Sequence, residues 1–245
     1  MLRVPYGDAM QPGTEAQVPT RDRVVVAVLA GLVVAVLLER IVAGVARTGG
    51  LPSPVAQLLA SDLAVWVPLG LAAVVAVRGS SLAAARRSFR VEPADVVVAL
   101  GIVIVCRTVD AVLSLTFFGT TGLTPPPAVG GVDVTVLVVA AVGLCIVGPV
   151  VEEVVFRGLL QRHLARMLPP RTRFVAVPVT AALFAVLHVL VGSPSSDLAG
   201  FTVVVTTFLL GLLTGTLVAM TDRIGGAVLA HAVFNAVALV ATMPR

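Results

Sequence analysis

Three short runs of the sequence carry polar side chains whose types could together hydrolyse a peptide bond. The first run holds two adjacent glutamates and an arginine, the second a histidine, and the third a histidine and an asparagine. Each run lies in or beside a stretch apolar enough to cross a bilayer, where ionisable side chains are costly and mark candidate functional sites. A carboxylate can activate water, and imidazole or amide groups can stabilise an oxyanion. The six residues are Glu152, Glu153, Arg157, His188, His231 and Asn235.

The first run gives its two carboxylates different roles. Glu153 and Arg157 are four residues apart, so they can form an ion pair along one face of a helix. Glu152 is rotated by about 100° from Glu153, which leaves it as the unpaired carboxylate and the candidate base. The structural alternative for this run is an ion pair that only anchors a helix end at the membrane interface.

His188 reaches the level of Glu152 if the two helices that carry them form a hairpin. Glu152 lies 17 residues before Pro169, and His188 lies 17 residues after Arg171. A turn at these positions therefore brings the two side chains together. The alternative role for a lone histidine in a helix bundle is a hydrogen bond to a neighbouring helix.

His231 and Asn235 are four residues apart and therefore share one helix face. His231 lies nine residues after Asp222, so it is closer to its helix end than Glu152 and His188 are to theirs. The three side chains lie at the same depth in the membrane if the Arg-rich hairpin between the helices of Glu152 and His188 extends into the cytoplasm by about two or three helical turns. We therefore expect a site a few turns below the cytoplasmic surface, with a polar cavity open to the cytoplasm.

The composition of the chain predicts a membrane protein. Of its 245 residues, 58% are hydrophobic and 12% are charged, unlike a soluble domain. The apolar segments are continuous rather than alternating, which favours helices in lipid. We predict an all-α polytopic transmembrane bundle of about seven spans. The segments are about Val24–Ala46, Val55–Val77, Asp95–Phe118, Val134–Leu160, Phe174–Val191, Gly200–Met220 and Ile224–Met243.

The basic residues indicate the orientation and the source of the protein. All 17 are Arg, which is typical of a GC-rich bacterial genome, so we expect a multi-pass protein of a bacterial plasma membrane. The connections alternate between Arg-rich and Arg-poor, which predicts a cytoplasmic N-terminus by the positive-inside rule. We predict a flexible cytoplasmic tail at 1–23 and a single transmembrane domain at 24–245, with a catalytic core at about 140–240.

Other features of the apolar segments have structural interpretations. Gly148-Pro149 interrupts the fourth segment, so a new or kinked helix is expected to start there and to run to about Met167. Gly211 and Gly215 form a small-xxx-small pair that serves helix packing.

Charges elsewhere in these segments are also interpreted as structural. Arg107 and Asp110 are three residues apart and are expected to pair with each other. Asp62 is interpreted as an interfacial residue, and Glu39 and Arg40 as residues that snorkel to the interface.

The three runs together resemble the motifs of the CPBP intramembrane protease family. That family includes the type II CaaX prenyl endopeptidases and the bacterial Abi proteins, some linked to bacteriocin self-immunity. The resemblance covers about residues 140–240, and the first 130 residues match only in being helical and hydrophobic. The motifs are Glu152-Glu153-x-x-Phe156-Arg157, Phe184-x-x-x-His188 and His231-x-x-x-Asn235.

The resemblance implies a role for each motif residue. Glu152 would be the general base that activates water, and His188 would help to orient that water. His231 and Asn235 would stabilise the oxyanion. The supporting residues would be Glu153, Arg157, Phe156 and Phe184.

Zinc is the cofactor alternative, because this family is often described as one of metalloproteases. Glu152, His188 and His231 could supply a His₂Glu ligand set with an open position. The sequence contains no H-E-x-x-H, and asparagine is a poor zinc ligand, so we favour a mechanism without a cofactor. If zinc were bound, Glu152 would be a ligand or would cede that place to Glu153.

These observations predict an integral-membrane endopeptidase that cleaves a membrane-anchored, for example lipidated and CaaX-like, peptide or protein. The partners would be the lipid bilayer and this substrate, and the basic composition is no argument for nucleic acid. One alternative is a non-catalytic membrane immunity or partner-binding protein of the same fold. Another is a transporter or proton-conducting bundle, which predicts paired broken helices and inverted repeats.

Overall fold

The computed structural model describes residues 22–77, 87–123 and 133–243 of the chain. Within these ranges the regular elements are all helices, which confirms the predicted all-α class. The predicted tail at 1–23 lies outside the described residues, except that Asp22 and Arg23 begin the first helix.

Seven helices of the described residues are long and apolar enough to cross a membrane, as predicted. Their outward faces carry large apolar side chains such as Ile41, Val97 and Ile104, which are exposed in the isolated protein and suited to lipid contact. The helices are α1 (Asp22–Arg47), α2 (Pro54–Val77), α3 (Pro93–Phe118), α4 (Val134–Met167), α5 (Ala176–Gly192), α6 (Asp197–Thr221) and α7 (Gly225–Thr242).

Helix α4 continues through Gly148 and Pro149, where the sequence predicted a break or a kink. Its hydrogen bonding widens to the π-helical pattern over Gly143–Val147 and again over Val154–Gln161. A π-helical turn absorbs the proline, because a proline has no N–H for the regular bond to the preceding turn. The helix ends at Met167, as predicted.

The helices pack as two groups that meet at α4 and along the contact of α5 with α6. Helices α1 and α2 form a hairpin against α4 and α5, with a buried cluster that includes Leu69, Phe156 and Phe184. Helices α3, α6 and α7 form the second group, whose buried cluster includes Cys106 and Leu210. The three motifs lie on α4, α5 and α7, at the junction of the two groups.

Gly211 and Gly215 allow α6 to approach its neighbours and leave room for polar side chains of α4. A Cβ on Gly211 would lie 3.1 Å from Cα of Ala181 and 3.1 Å from Nη2 of Arg157. A Cβ on Gly215 would lie 2.7 Å from Oε1 of Gln161, whose Nε2 donates to the Gly215 carbonyl at 2.8 Å. The pair therefore does more than the plain helix packing predicted from the sequence.

Ion pairs tie the helix ends together on the Arg-rich side. Arg223, in the turn between α6 and α7, lies 2.9 Å from Asp95 and 3.2 Å from Glu92 at the start of α3. Arg162 of α4 lies 3.1 Å from Asp222 in the same turn. These contacts fix α3 and α4 to the turn from which α7 begins.

Candidate active site

Glu152, His188 and His231 meet where α4, α5 and α7 come together. Oε2 of Glu152 lies 3.5 Å from Nε2 of His188 and 4.0 Å from Nε2 of His231. One donor or acceptor atom from each residue lies within 4.8 Å of the other two. Oε2 of Glu152 is buried and has no hydrogen-bond partner among the described residues. The three side chains therefore face one small polar space.

Both imidazoles are fixed by hydrogen bonds at their Nδ1 atoms. Nδ1 of His188 lies 2.9 Å from the backbone oxygen of Phe184, which can only accept, so this Nδ1 carries the proton. Nδ1 of His231 lies 3.1 Å from Oε1 of Glu153, whose carboxylate likewise accepts. In neutral imidazoles, the Nε2 atoms that face Glu152 are then hydrogen-bond acceptors.

Glu153 and Arg157 form the ion pair that their spacing predicted. Nε of Arg157 lies 3.2 Å from Oε2 of Glu153, and the two side chains are buried to 1% and 0% exposure. Because Glu153 also contacts His231, it connects this buried pair to the candidate site. The sequence did not predict the contact with His231, because it depends on how α7 packs against α4.

The guanidinium of Arg157 is enclosed by aromatic rings. Its Cζ lies 4.3 Å from the ring centroid of Phe184 and 5.8 Å from that of Phe156. Such contacts partly replace the hydration that a buried cation loses. The Phe184 ring also lies 4.2 Å from the His188 ring, centroid to centroid. Phe184 therefore packs between the Arg157 guanidinium and the His188 imidazole, and the Phe156 ring packs against that of Phe184 at 5.2 Å between centroids.

Asn235 is oriented by a backbone carbonyl that the π-helical turn leaves free. Its Nδ2 donates to the oxygen of Leu144 at 2.7 Å. Within that turn the N–H of Gly148 bonds to the oxygen of Gly143, and the next residue, Pro149, has no N–H. The Leu144 carbonyl is therefore available to Asn235. The second hydrogen on Nδ2 remains free to donate to a substrate.

A cavity of about 270 Å³ adjoins these residues. Its wall combines motif side chains of α4, α5 and α7 with polar side chains of α1 and α2. The polar residues that line it are Glu39, Ser61, Asp62, Trp66, Glu152, His188, His231 and Asn235.

This cavity extends away from the Arg-rich hairpin between α4 and α5. His188 and Gly192 both line it, and Gly192 is the last residue of α5. Glu39 lies in the second half of α1, and Asp62 lies in the first half of α2. The prediction that the cavity opens to the Arg-rich side is therefore wrong, because the lining residues lie toward the Arg-poor helix ends. The spacings along α4, α5 and α7 indicate a depth for the motif side chains, but they carry no information on the wall that α1 and α2 supply.

A second cavity, of about 300 Å³, lies between α5, α6 and α7. It shares His188, His231 and Asn235 with the first cavity, and the rest of its lining is mainly apolar, as at Leu210 and Phe234. The two imidazoles and the amide therefore lie between a cavity with acidic walls and one with apolar walls.

The sequence interpretation missed the contribution of Glu39 and Asp62 to this region. Glu39 was expected to snorkel, but it is buried and accepts a hydrogen bond from Oγ of Ser61 at 3.2 Å. Its neighbour Arg40 is exposed and donates to Oγ of Ser193. A usable signal was present: Glu39 and Asp62 are each eight residues from the ends of α1 and α2 that face each other, so a hairpin places them at one level.

Arg107 and Asp110 form the predicted pair, at 2.9 Å between Nη1 and Oδ2. The structure adds a second contact, since Nε of Arg107 donates to the backbone oxygen of Phe234 at 3.1 Å. The guanidinium also lies 3.5 Å from the centroid of the Phe234 ring. This arginine therefore fixes α3 to α7 beside Asn235.

The donor set of the site fits a zinc ion as well as a water molecule. Two imidazole nitrogens and a carboxylate oxygen are zinc ligands, and each imidazole is held at Nδ1, as is usual for zinc-bound histidine. If Glu152 were a ligand, another base would be needed. Glu153 is poorly placed for this role, because its carboxylate forms the ion pair with Arg157 and accepts the hydrogen bond from Nδ1 of His231.

Comparison with known families gives a match over part of the chain. Residues 134–237 match the family of type II CAAX prenyl endopeptidase Rce1-like proteins. The matched region begins with α4 and ends within α7, so it contains the three motifs. Comparisons with curated proteins and with solved structures give no match. This match over residues 134–237 confirms the resemblance to type II CAAX prenyl endopeptidases that the three motifs predicted. The seven helices of the described residues that are long and apolar enough to cross a membrane fit a multi-pass membrane protein.

Proposed function

We propose that the chain is an integral-membrane endopeptidase that hydrolyses a peptide bond in a membrane-anchored substrate. The observation that carries this proposal is the convergence of Glu152 with the Nε2 atoms of His188 and His231 beside Asn235. A scaffold protein gains nothing from a buried carboxylate oxygen without a partner, since such an atom costs folding free energy. A hydrolase uses that oxygen to hold the attacking water.

Glu152 acts as the general base in this proposal. A water between the three side chains donates one hydrogen bond to Oε2 of Glu152 and the other to Nε2 of His188 or His231. As the water oxygen attacks the substrate carbonyl carbon, its proton moves to Glu152. The same proton then moves to the leaving nitrogen as the C–N bond breaks, which restores the carboxylate.

Asn235 supplies the donor for the developing oxyanion. Its Nδ2 keeps one hydrogen free after it donates to Leu144, and preorganised donors of this kind are worth about 10²–10³ in rate. His231 accepts at Nε2 in its assigned tautomer, so it donates only when its imidazole is protonated. The Glu153 carboxylate at Nδ1 would stabilise that cation.

A zinc ion held by Glu152, His188 and His231 would supply a Lewis acid for the substrate carbonyl. We propose the reaction without a metal, because Glu152 is the one motif carboxylate free to act as a base. Glu153 is held in an ion pair with Arg157 and accepts a hydrogen bond from His231.

The substrate in this proposal is a lipidated or otherwise membrane-anchored peptide. The two cavities on either side of the imidazoles offer space for the chain on both sides of the bond that is cleaved. The outward apolar faces of the helices keep the site within a bilayer, which we propose to be a bacterial plasma membrane.

The test is hydrolysis of a lipopeptide panel by the purified protein in nanodiscs, in water enriched in ¹⁸O. We expect new carboxyl termini that carry ¹⁸O, detected by mass spectrometry, and activity that survives exhaustive chelation. His188→Ala and His231→Ala should each lose most of this activity. Absence of any cleaved product from the panel, or full activity in both variants, would contradict the proposal.

A further inference from the structure

We propose that Glu39 and Asp62 form a subsite that binds the cationic side chain of an Arg or Lys residue in the substrate, near the bond that is cleaved. This inference rests on the proposed peptidase function and adds a substrate preference to it. It concerns α1 and α2, which lie outside the region matched by the family.

Glu39 is the first argument for a bound cation. Its side chain lies in the membrane-spanning helix α1, is 9% exposed and lines the cavity. Oε1 accepts from Ser61, whereas Oε2 is buried and has no hydrogen-bond partner among the described residues. A buried carboxylate oxygen left in this way is costly, and a ligand with N–H donors removes that cost.

Asp62 supplies a second carboxylate to the same wall. It follows Ser61 directly, and a Cβ on Gly143 of α4 would lie 2.5 Å from its Oδ2. The carboxylate therefore occupies space that exists only because α4 has a glycine there. That position keeps Asp62 at the cavity wall between α2 and α4, beside Trp66.

The cavity lacks a matching positive charge within the part of the chain that the structure describes. Its described lining contains acidic residues and histidines but neither Arg nor Lys. The neighbouring Arg40 is turned away to Ser193, with its Nη1 2.8 Å from the serine oxygen. Two carboxylates with an unmatched charge in an apolar surrounding attract a cation strongly.

The location of the acidic pair indicates that the cation belongs to the substrate. Glu39 and Asp62 line the same cavity of about 270 Å³ as Glu152, His188 and His231. That volume admits only a short stretch of peptide. A side chain bound at the acidic wall is therefore close to the scissile bond, with the apolar second cavity on the other side of the imidazoles.

The first experiment compares quenched-fluorescence lipopeptides that differ at one residue. Arg, Lys, norleucine or Glu is placed in turn at each position on either side of the cleaved bond. At one position we expect wild-type kcat/KM for Arg or Lys to exceed that for norleucine by about tenfold or more. The Glu39→Gln/Asp62→Asn variant should reduce this ratio to about one while it still cleaves the norleucine peptide.

Glu92→Gln and Asp197→Asn serve as matched controls, because neither residue lines the cavity. Both should keep the wild-type ratio. Cleavage with no preference for a cation at any position, or an unchanged ratio in the double variant, would overturn the subsite and leave the peptidase function standing.

A binding measurement separates the subsite from the chemistry. In a Glu152→Gln background, fluorescence anisotropy gives the Kd of the labelled Arg and norleucine peptides without turnover. We expect about tenfold tighter binding of the Arg peptide, and loss of this difference when Glu39 and Asp62 are also replaced. If wild type cleaves nothing but this difference is present, the function fails and the subsite stands. Equal binding of both peptides would contradict the subsite.

Discussion

Each imidazole of the site donates a hydrogen bond from Nδ1, whereas its Nε2 lies near Glu152. The two acceptors differ in kind. His188 donates to a backbone carbonyl one turn earlier on its own helix, so α5 alone can orient it. His231 donates to Glu153 on another helix, so its orientation depends on the packing of α7 against α4. Glu153 therefore both neutralises Arg157 and sets the tautomer of His231.

The Glu153→Gln substitution tests this double role. The amide oxygen can still accept from His231, but Arg157 loses its direct ion-pair partner in the interior. We expect a loss of about 3–5 kcal/mol in the free energy of unfolding and a loss of about 10–100-fold in kcat/KM. Thermal unfolding in detergent and lipopeptide cleavage measure the two effects.

The double variant Glu153→Gln/Arg157→Met provides the control for this test. It removes both charges, so stability should return toward the wild-type value while activity stays low. A single variant as stable as the wild type would show that the Glu153–Arg157 charges are not paired in the interior.

Spacing along one helix or one hairpin was enough to predict the Glu153–Arg157 pair and the approach of Glu152 to His188. The contact between Glu153 and His231 could not be predicted from the sequence, because no local pattern specifies which face of α7 meets α4. The role of Glu39 and Asp62 does not follow from either helix alone, because their side chains meet only when α1 and α2 form a hairpin. Their equal distance from the facing ends of the two helices predicts that meeting, as the equal spacing of Glu152 and His188 from the α4–α5 turn predicts theirs.

At the scale of elements, the π-helical turn of α4 links a backbone irregularity to the site. The turn over Gly143–Val147 and the missing N–H of Pro149 leave the Leu144 carbonyl to Asn235. The sequence marked the irregularity at Gly148-Pro149 but predicted a break or a kink. Whether α4 breaks, kinks or forms a π-helical turn depends on whether a neighbouring helix can donate a hydrogen bond to the freed Leu144 carbonyl. That depends on tertiary packing, which the local sequence does not specify.

Pro149→Ala should therefore impair activity without lowering stability. An alanine restores a backbone N–H, allows α4 to return toward regular helical hydrogen bonding, and competes with Asn235 for the Leu144 carbonyl. We expect kcat/KM to fall by about tenfold with an unchanged or higher unfolding temperature. Pro68→Ala, inside α2, is the control and should leave activity unchanged. Equal activity of the two variants would argue against the link between the turn and Asn235.

Gly211→Ala should destabilise the contact between α5 and α6. The new Cβ would meet both Ala181 and Arg157 at 3.1 Å, so a helix or the buried guanidinium must shift. We expect a loss of about 1–3 kcal/mol from this overpacking, measured as a lower unfolding temperature in detergent. Gly101→Ala is the matched control, since its Cβ would meet no atom within 4 Å. If both variants unfold at the same temperature, Gly211 is not required for the close approach.

At the scale of the whole molecule, the composition and the continuity of the apolar segments were sufficient to predict seven membrane-spanning helices. They could not locate the cavity, because its walls come from helices far apart in the sequence. The cavity lies toward the Arg-poor helix ends. The positive-inside rule assigns those ends to the non-cytoplasmic side, so we predict that the cavity opens away from the cytoplasm.

Single-cysteine labelling tests this orientation in a background with Cys106 and Cys145 replaced by alanine. A membrane-impermeant maleimide should label Ser195→Cys, at the Arg-poor end, in intact cells. It should label Arg171→Cys, in the Arg-rich hairpin, only after the membrane is permeabilised. The reverse pattern would show that the Arg-rich ends face outward and that the cavity opens to the cytoplasm.

The central claim is that Glu152 is the base of a hydrolytic site, and its most direct test is the rate of lipopeptide cleavage by Glu152→Gln. This change keeps the size of the side chain and removes its ability to take a proton. Because a general base contributes about 10²–10⁴ in rate, we predict that kcat falls by at least a hundredfold. The unfolding temperature of Glu152→Gln should be no lower than that of the wild type. The control variant Glu92→Gln should keep full activity. A Glu152→Gln protein that cleaves the lipopeptide within a few-fold of the wild-type rate would contradict it.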